Sequence, residues 1–223
     1  MERHFETEMQ ALRNRLLGMG AMVEERMHGA VVALMERNAA AAEAIIAGDQ
    51  EVNELQIEVD DRCLKLLALQ QPMASDLRLI TAAMKINADL ERIGDQAVNI
   101  AENTLKLMNA APLRPLIDLP RMAEIAEAMT RDSLDAFVRK DAALARSVLA
   151  RDDEVDQLKD HIFRVLLTYM MADPGTIERA LSLILVSRNL ERIADHATNI
   201  AEDVIFVVEA KDVRHHHEER VVP

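Results

Sequence analysis

A thirteen-residue segment occurs twice in this chain. Leu90-Glu91-Arg92-Ile93-Gly94-Asp95-Gln96-Ala97-Val98-Asn99-Ile100-Ala101-Glu102 returns 100 residues later as Leu190-Glu191-Arg192-Ile193-Ala194-Asp195-His196-Ala197-Thr198-Asn199-Ile200-Ala201-Glu202, with ten of the thirteen positions identical. A looser echo, Asp49-x-x-Val52-x-x-Leu55, returns 103 residues on as Asp152-x-x-Val155-x-x-Leu158. Because the echoes keep their order, the chain is a tandem duplication, and one half must fold as the other does.

The units are helical. Gly and Pro number only six each in 223 residues, so turns are few and elements long. Aromatic residues make up 2%, which leaves Ala, Leu, Ile, Val and Met to build the core and excludes a β-sandwich or barrel, with its frequent turn signals. Apolar Leu12, Leu16, Met19, Val23, Met27, Ala30 and Leu34 recur at three- and four-residue spacing, which predicts one helix from about Phe5 to Arg37. Asn38 is an expected cap for a short helix, Ala39 to Ala47, and Asp49 for a long one to about Leu69. Ser75 is the expected cap of a third long helix, ending near Met108.

Three of the six prolines then fall between Pro112 and Pro120 and mark a linker. Beyond it the plan recurs: Arg121 to Lys140, a short helix capped by Asp141, a helix capped by Asp152 and running to about Met171, and a last one from Thr176 to about Glu209. The expected architecture is all-α, two tandem three-helix bundles related by a pseudo-twofold axis. Its parts are a first bundle over 1–110, a linker over 111–120, a second bundle over 121–210 and a tail over 211–223.

Charge narrows the partners. A formal charge of −13 and a pI near 5.0 oppose binding to nucleic acid or anionic lipid and suit cations or a basic protein surface. Cys63 is the sole cysteine, too few for a disulfide framework and in keeping with a reducing cytosol. The start, Met1-Glu2-Arg3-His4-Phe5-Glu6, lacks a signal-peptide run, and no stretch approaches the ~18 consecutive apolar residues of a membrane span.

On a helix at 100° per residue, Glu91, Asp95, Asn99 and Glu102 fall within about 80° of one another, with Leu90, Ile93, Ala97 and Ile100 opposite. Glu191, Asp195, Asn199 and Glu202 form the same column in the second half. Like charges one turn apart cost roughly 0.2–0.5 kcal/mol per pair, so something should offset them. Arg92, Arg188 and Arg192 could do so, giving a solvated, salt-bridged face. The other reading is a cation site, since carboxylate and amide oxygens suit Mg²⁺, Mn²⁺ or iron. Glu91 and Asp95, about 6 Å apart along the axis, could share an ion, whereas Glu102, about 16 Å from Glu91, could not. A complete site therefore needs carboxylates from a neighbouring helix.

Other signals weigh less. Glu25-x-x-His28 has di-iron spacing, but the matching place in the second half holds Arg131. His196 is matched by Gln96, and His215-His216-His217 reads as a hydrophilic tail. Methionines such as Met19, Met27, Met170 and Met171 read as core packing more readily than as a contact surface. No nucleophile–base pair, phosphate-cradling Gly-rich loop or zinc motif is visible, which opposes hydrolytic or phosphoryl-transfer chemistry.

An ordered set of motifs spans nearly the whole chain. It runs Met19-Gly20-x-Met22-Val23-Glu24, Gln71-Pro72-x-Ala74-Ser75-Asp76-Leu77-Arg78-Leu79, the two Leu-Glu-Arg-Ile segments, Thr168-Tyr169-Met170-Met171-x-Asp173 and Asp212-Val213-Arg214-His215. This set resembles the PhoU family, accessory proteins of the bacterial high-affinity phosphate transport system. The resemblance implies two symmetric three-helix bundles and metal binding through Glu/Asp-x-x-x-Asp motifs, which map to Glu91/Asp95 and Glu191/Asp195. It also implies coupling of a phosphate ABC transporter to a sensor histidine kinase, with the phosphate-starvation response held off when phosphate is plentiful. Ala194, where members commonly carry Gly, and the triple-His tail depart from the pattern without removing a ligand.

The resulting expectation is a non-enzymatic cytoplasmic adaptor that reaches the membrane only through partners and binds no nucleic acid. Its expected metal ligands are Glu91, Asp95, Asn99, Glu102, Glu191, Asp195, Asn199 and Glu202, for magnesium, manganese, iron or zinc. A monomer and a homodimer both stay open. So do two other classes, a carboxylate-bridged metalloenzyme and a metal-free helical scaffold.

Overall fold

The structure, a computed structural model, describes residues 2–108, 110–113 and 118–214. Among them every regular element is a helix: α1 (Glu2–Glu36), α2 (Ala39–Ala47), α3 (Asp49–Gln70), α4 (Ala74–Leu107), α5 (Asp118–Arg139), α6 (Ala142–Leu149), α7 (Asp152–Ala172), a 3₁₀ turn (Pro174–Thr176) and α8 (Ile177–Glu209). Each half thus holds three long helices and a short one. His215 to His217 lie outside the described residues.

Both halves turn their first corner with one device. α1 and α5 end on a residue in the left-handed region, Arg37 at φ 54° and Lys140 at φ 53°. The next side chain then caps the short helix. Asn38 Oδ1 accepts from the Ala41 N–H at 3.1 Å, and Asp141 Oδ1 from the N–H groups of Ala143 and Leu144 at 2.9 and 3.0 Å. Each bond satisfies donors that a helix start leaves orphaned. At the far end of the first half, Arg37 donates to the carbonyls of Leu107, Met108 and Ala110 at 2.7–3.0 Å, closing the C-terminus of α4.

Three expected caps are corrected. Asp49 and Asp152 lie inside the first turns of α3 and α7, behind Gly48 and Arg151, and Ser75 lies inside α4 behind Met73. Gly48 and Arg151 are themselves in helical conformation, so the chain enters the long helix without the extended residue that a side-chain cap requires. Asp49 and Asp152 keep only the weaker benefit of a negative charge near the positive end of the helix dipole. α5 begins at Asp118, so Pro120 occupies its first turn, where a missing N–H costs nothing. The last helix starts one residue late, after a 3₁₀ turn that Asp173 closes by accepting from the Gly175 N–H at 2.9 Å.

The anticipated α1 stripe is buried throughout, from Leu12 to Leu34, and packs in one continuous core with Ile86, Leu90, Ile93 and Ile100 of α4 and their counterparts on α8. Full burial of each such side chain contributes about 1.5–3 kcal/mol. Met19 and Met27 belong to this core, whereas Met171 is exposed. Cys63 is fully buried, and burial pushes its thiol up to about 12, so it serves as a small apolar residue. At Gly20 the first helix comes close to α5: an added Cβ would stand 2.7 Å from Leu134 Cδ1.

α4 and α8 pack together along the centre of the molecule. The Lys85 ammonium bonds Asp203 Oδ1 at 2.8 Å, and further along α4 Asp89 Oδ1 accepts from His196 Nδ1 at 2.9 Å and from Asn199 Nδ2 at 3.3 Å. Numbers rise on one helix as they fall on the other, so the pair is antiparallel, and its midpoint falls at the level of Gly94 and Ala194. The repeated segment of each half is therefore laid across the pseudo-twofold axis that relates them.

Candidate metal centres

In the first half two helices contribute oxygen ligands. α4 presents Glu91 and Asp95, and the first turn of α3 presents Asp49, whose Oδ2 accepts from Asn53 Nδ2 at 2.9 Å. The carboxyls of Glu91 and Asp95 are both pushed above the usual range. For each, partial burial is the main cause; for Glu91 the next is the charge of Asp95, and for Asp95 that of Asp49. Three acids thus share one electrostatic neighbourhood, at a cost that a bound cation would relieve.

The second half repeats this with an addition. Asp152 and Asp156 of α7 face Glu191 and Asp195 of α8, and burial followed by the charges of Glu191, Asp152 and Asp156 pushes Asp195 up to about 6. Asp152 is raised too, by burial and then by Asp156, Asp153 and Glu191. Here an internal cation joins the cluster. Lys159 Nζ donates to Asp156 Oδ1 at 2.7 Å and to Glu191 Oε1 at 3.0 Å, bridging α7 and α8, and those bonds hold its ammonium well above its ordinary range. The place between the two helices accepts positive charge.

The eight anticipated ligands divide. The structure brings Glu91 and Asp95 beside Asp49, and Glu191 and Asp195 beside Asp152 and Asp156. It does not bring the other four to those clusters. Asn199 is bonded to Asp89 across the α4–α8 contact, Glu202 acts on Arg214, Glu102 is exposed, and Asn99 is half-buried with its carbonyl accepting from Asn103. Among the described residues no three His, Cys, Asp or Glu side chains converge tightly enough to enclose an ion as they stand. Oxygen donors from two helices, with Asp49, Glu91, Asp152 and Glu191 half-buried and Asp95, Asp156 and Asp195 exposed, repel one another and nonetheless match a hard cation in chemistry and charge.

Sequence reading missed Asp49, Asp152 and Asp156 as partners of the columns. A signal was present, because Asp49 and Asp152 open the second echo of the duplication, but a capping role absorbed it. The arginines also differ from expectation: among the described residues Arg92, Arg188 and Arg192 form no ion pair with the columns, and Arg92 eases Glu91 only from a distance. His28 reaches Glu127 of α5 at 3.3 Å on an exposed surface, unlike an inward-facing di-iron ligand.

A family model described as the PhoU domain matches residues 16–104 and 119–204, one copy per half. A phosphate-specific transport system accessory protein PhoU homolog of Pseudomonas putida is 42% identical over 216 residues, covering 96% of this chain and 84% of the relative. The phosphate-specific transport system accessory protein PhoU of Escherichia coli K12 is 36% identical over 211 residues, 95% of this chain and 88% of that protein. The crystal structure of PhoU from Pseudomonas aeruginosa superposes with a TM-score of 0.90 at 40% identity, covering 93% of this chain and all of that one. A phosphate transport system regulatory protein from Streptococcus pneumoniae gives 0.88 at 31% identity, covering 94% and 99% of the two chains.

Proposed function

Since the chain belongs to the PhoU family, we propose that it is an accessory protein of a phosphate-specific transport system, a regulator and not an enzyme. The observation behind this reading is that both halves match such accessory proteins, in order, over 95–96% of the chain. Among the described residues no helix is long and apolar enough to cross a membrane, so contact with the transporter runs through surfaces of the bundle.

The reading extends to metal. Asp49, Glu91 and Asp95 in one half, and Asp152, Asp156, Glu191 and Asp195 in the other, would hold divalent or iron cations. A bound cation would supply positive charge that neutralises the carboxylates and fixes α3 against α4 and α7 against α8. Raised carboxyls in both halves, which in the second outnumber the one lysine beside them, support it. The partners are the phosphate ABC transporter and a sensor histidine kinase, and the outcome is repression of the starvation response when phosphate is plentiful.

Elemental analysis of the purified protein, before and after joint replacement of Glu91, Asp95, Glu191 and Asp195 by Ala, tests the metal reading. Metal should be lost, and unchanged content would leave a metal-free scaffold. Deletion of the gene should leave starvation genes expressed in high phosphate, and normal repression there would contradict the regulatory role.

A further inference from the structure

The arginine of the repeated segment has so far no task. Arg92 and Arg192 are related by the duplication, both are exposed, and neither ion-pairs with an acid among the described residues. The antiparallel packing of α4 on α8 sets position 92 near 196 and position 192 near 96. Both arginines line a single open groove of about 520 Å³, together with Gln96, Asp195 and His196. Two unpaired arginines on one symmetry axis are a strong donor set for an oxyanion, since each guanidinium offers a planar fork of N–H groups.

The rest of the lining narrows the anion. Gln96 is 7% exposed, and its Oε1 is buried with no hydrogen-bond partner. A buried orphan acceptor is costly unless something donates to it. Asp195 adds a second acceptor. The Nδ1 side of His196 is already spent on Asp89, which fixes the ring at the wall of the groove. Two forks of donors beside an unpartnered amide oxygen and an exposed carboxylate are a poor match for sulfate, which has no proton to give. They are right for a tetrahedral oxyanion that still carries an O–H at neutral pH.

We propose that the groove between α4 and α8 is a binding site for inorganic phosphate, with Arg92 and Arg192 donating to its oxygens and with Gln96 Oε1 and the Asp195 carboxylate as the acceptors open to its O–H. The chain would then read phosphate directly, in a groove that shares only Asp195 with the second carboxylate cluster, and the proposal does not rest on metal binding. The site exists only once both halves are folded together, because each contributes one arginine and one acceptor.

The test uses the full chain stripped of metal by chelation, so that no cation at the clusters can hold phosphate. Isothermal titration with inorganic phosphate should show saturable binding at about one site per chain. Sulfate, and a phosphate monoester that has lost its last proton at pH 7.5, should bind at least about tenfold more weakly. Arg92→Gln and Arg192→Gln should each weaken phosphate binding about tenfold or more, the loss of one charge-assisted contact, while manganese content and melting temperature stay near those of the parent. Asp195→Asn should narrow the preference for phosphate over sulfate. No saturable binding by the parent chain, binding unaltered in the double arginine variant, or equal affinity for sulfate would each overturn the proposal.

Discussion

Where α7 sets Lys159 between Asp156 and Glu191, the matching positions of α3, 103 residues earlier, hold Gln56 and Asn53. One acidic cluster therefore has four carboxylates and an internal ammonium, the other three carboxylates and none, and the uncompensated formal charge is the same in both. The halves differ here by an acid and a base together, Asp156 and Lys159 in one against Asn53 and Gln56 in the other. Formal charge at this place is thus equal in the two halves although its carriers differ. The second half supplies part of its counter-charge covalently; the first depends on water, salt or a bound cation.

The largest effect should come from making the halves alike. Lys159→Gln removes the ammonium and leaves four acids facing one another, which should cost about 1–2 kcal/mol for a partly buried pair. A chelated protein would then melt a few degrees lower, and millimolar Mn²⁺ should restore more stability to the variant than to the parent. Equal responses would break the link between lysine and cation. The reciprocal Gln56→Lys should make the first half less responsive to Mn²⁺ in the same calorimetric scan.

A middle-sized effect tests a second difference, Gly94 against Ala194. A Cβ on Gly94 would meet Val52 Cγ1 at 3.4 Å, ordinary contact. Gly94→Ala should therefore stabilise the protein by about 0.5–1 kcal/mol through helix propensity alone, read as a higher urea midpoint with an unchanged slope. A lower midpoint would mean that the first half needs the close approach of α3 to α4 that the second does not.

The smallest effect is a pH dependence. Because Asp195 is pushed up to about 6 in the fold, the folded chain keeps a proton that the unfolded chain releases near the ordinary Asp value. Its contribution to stability is full below that ordinary value and is lost as pH rises through about 6. In chelated protein, Asp195→Asn should gain on the parent in melting temperature between about pH 4.5 and 7.5, by about 2 °C or less because water screens the group. A pH-independent difference would show that the carboxyl is not under repulsion.

The long helices were legible because their apolar residues recur every three or four positions, and the order of elements because the duplication states it twice. Helix starts were less so. Asn38 and Asp141 cap as their residue type suggests, yet Asp49, Asp152 and Ser75, of the same chemical type, do not, because the preceding backbone is already helical or the helix begins a residue earlier. At the site, Glu91/Asp95 and Glu191/Asp195 were readable from their shared helix face. Their partners on α3 and α7 were not, since no pattern within one helix says which residues of another will lie opposite.

Taken alone, the sequence determined that this is a doubled all-helical protein of the PhoU kind with an acidic column in each half, because periodicity fixes which residues share a face. Only the tertiary structure decided that Asp49 and Asp152 complete the acidic clusters, that Asn199 turns to Asp89, and that Arg92 and Arg192 line one groove. Those juxtapositions follow from the antiparallel crossing of α4 and α8 and from the seating of α3 and α7 beside them. Packing of whole helix surfaces sets that geometry, and no single stretch of chain records it.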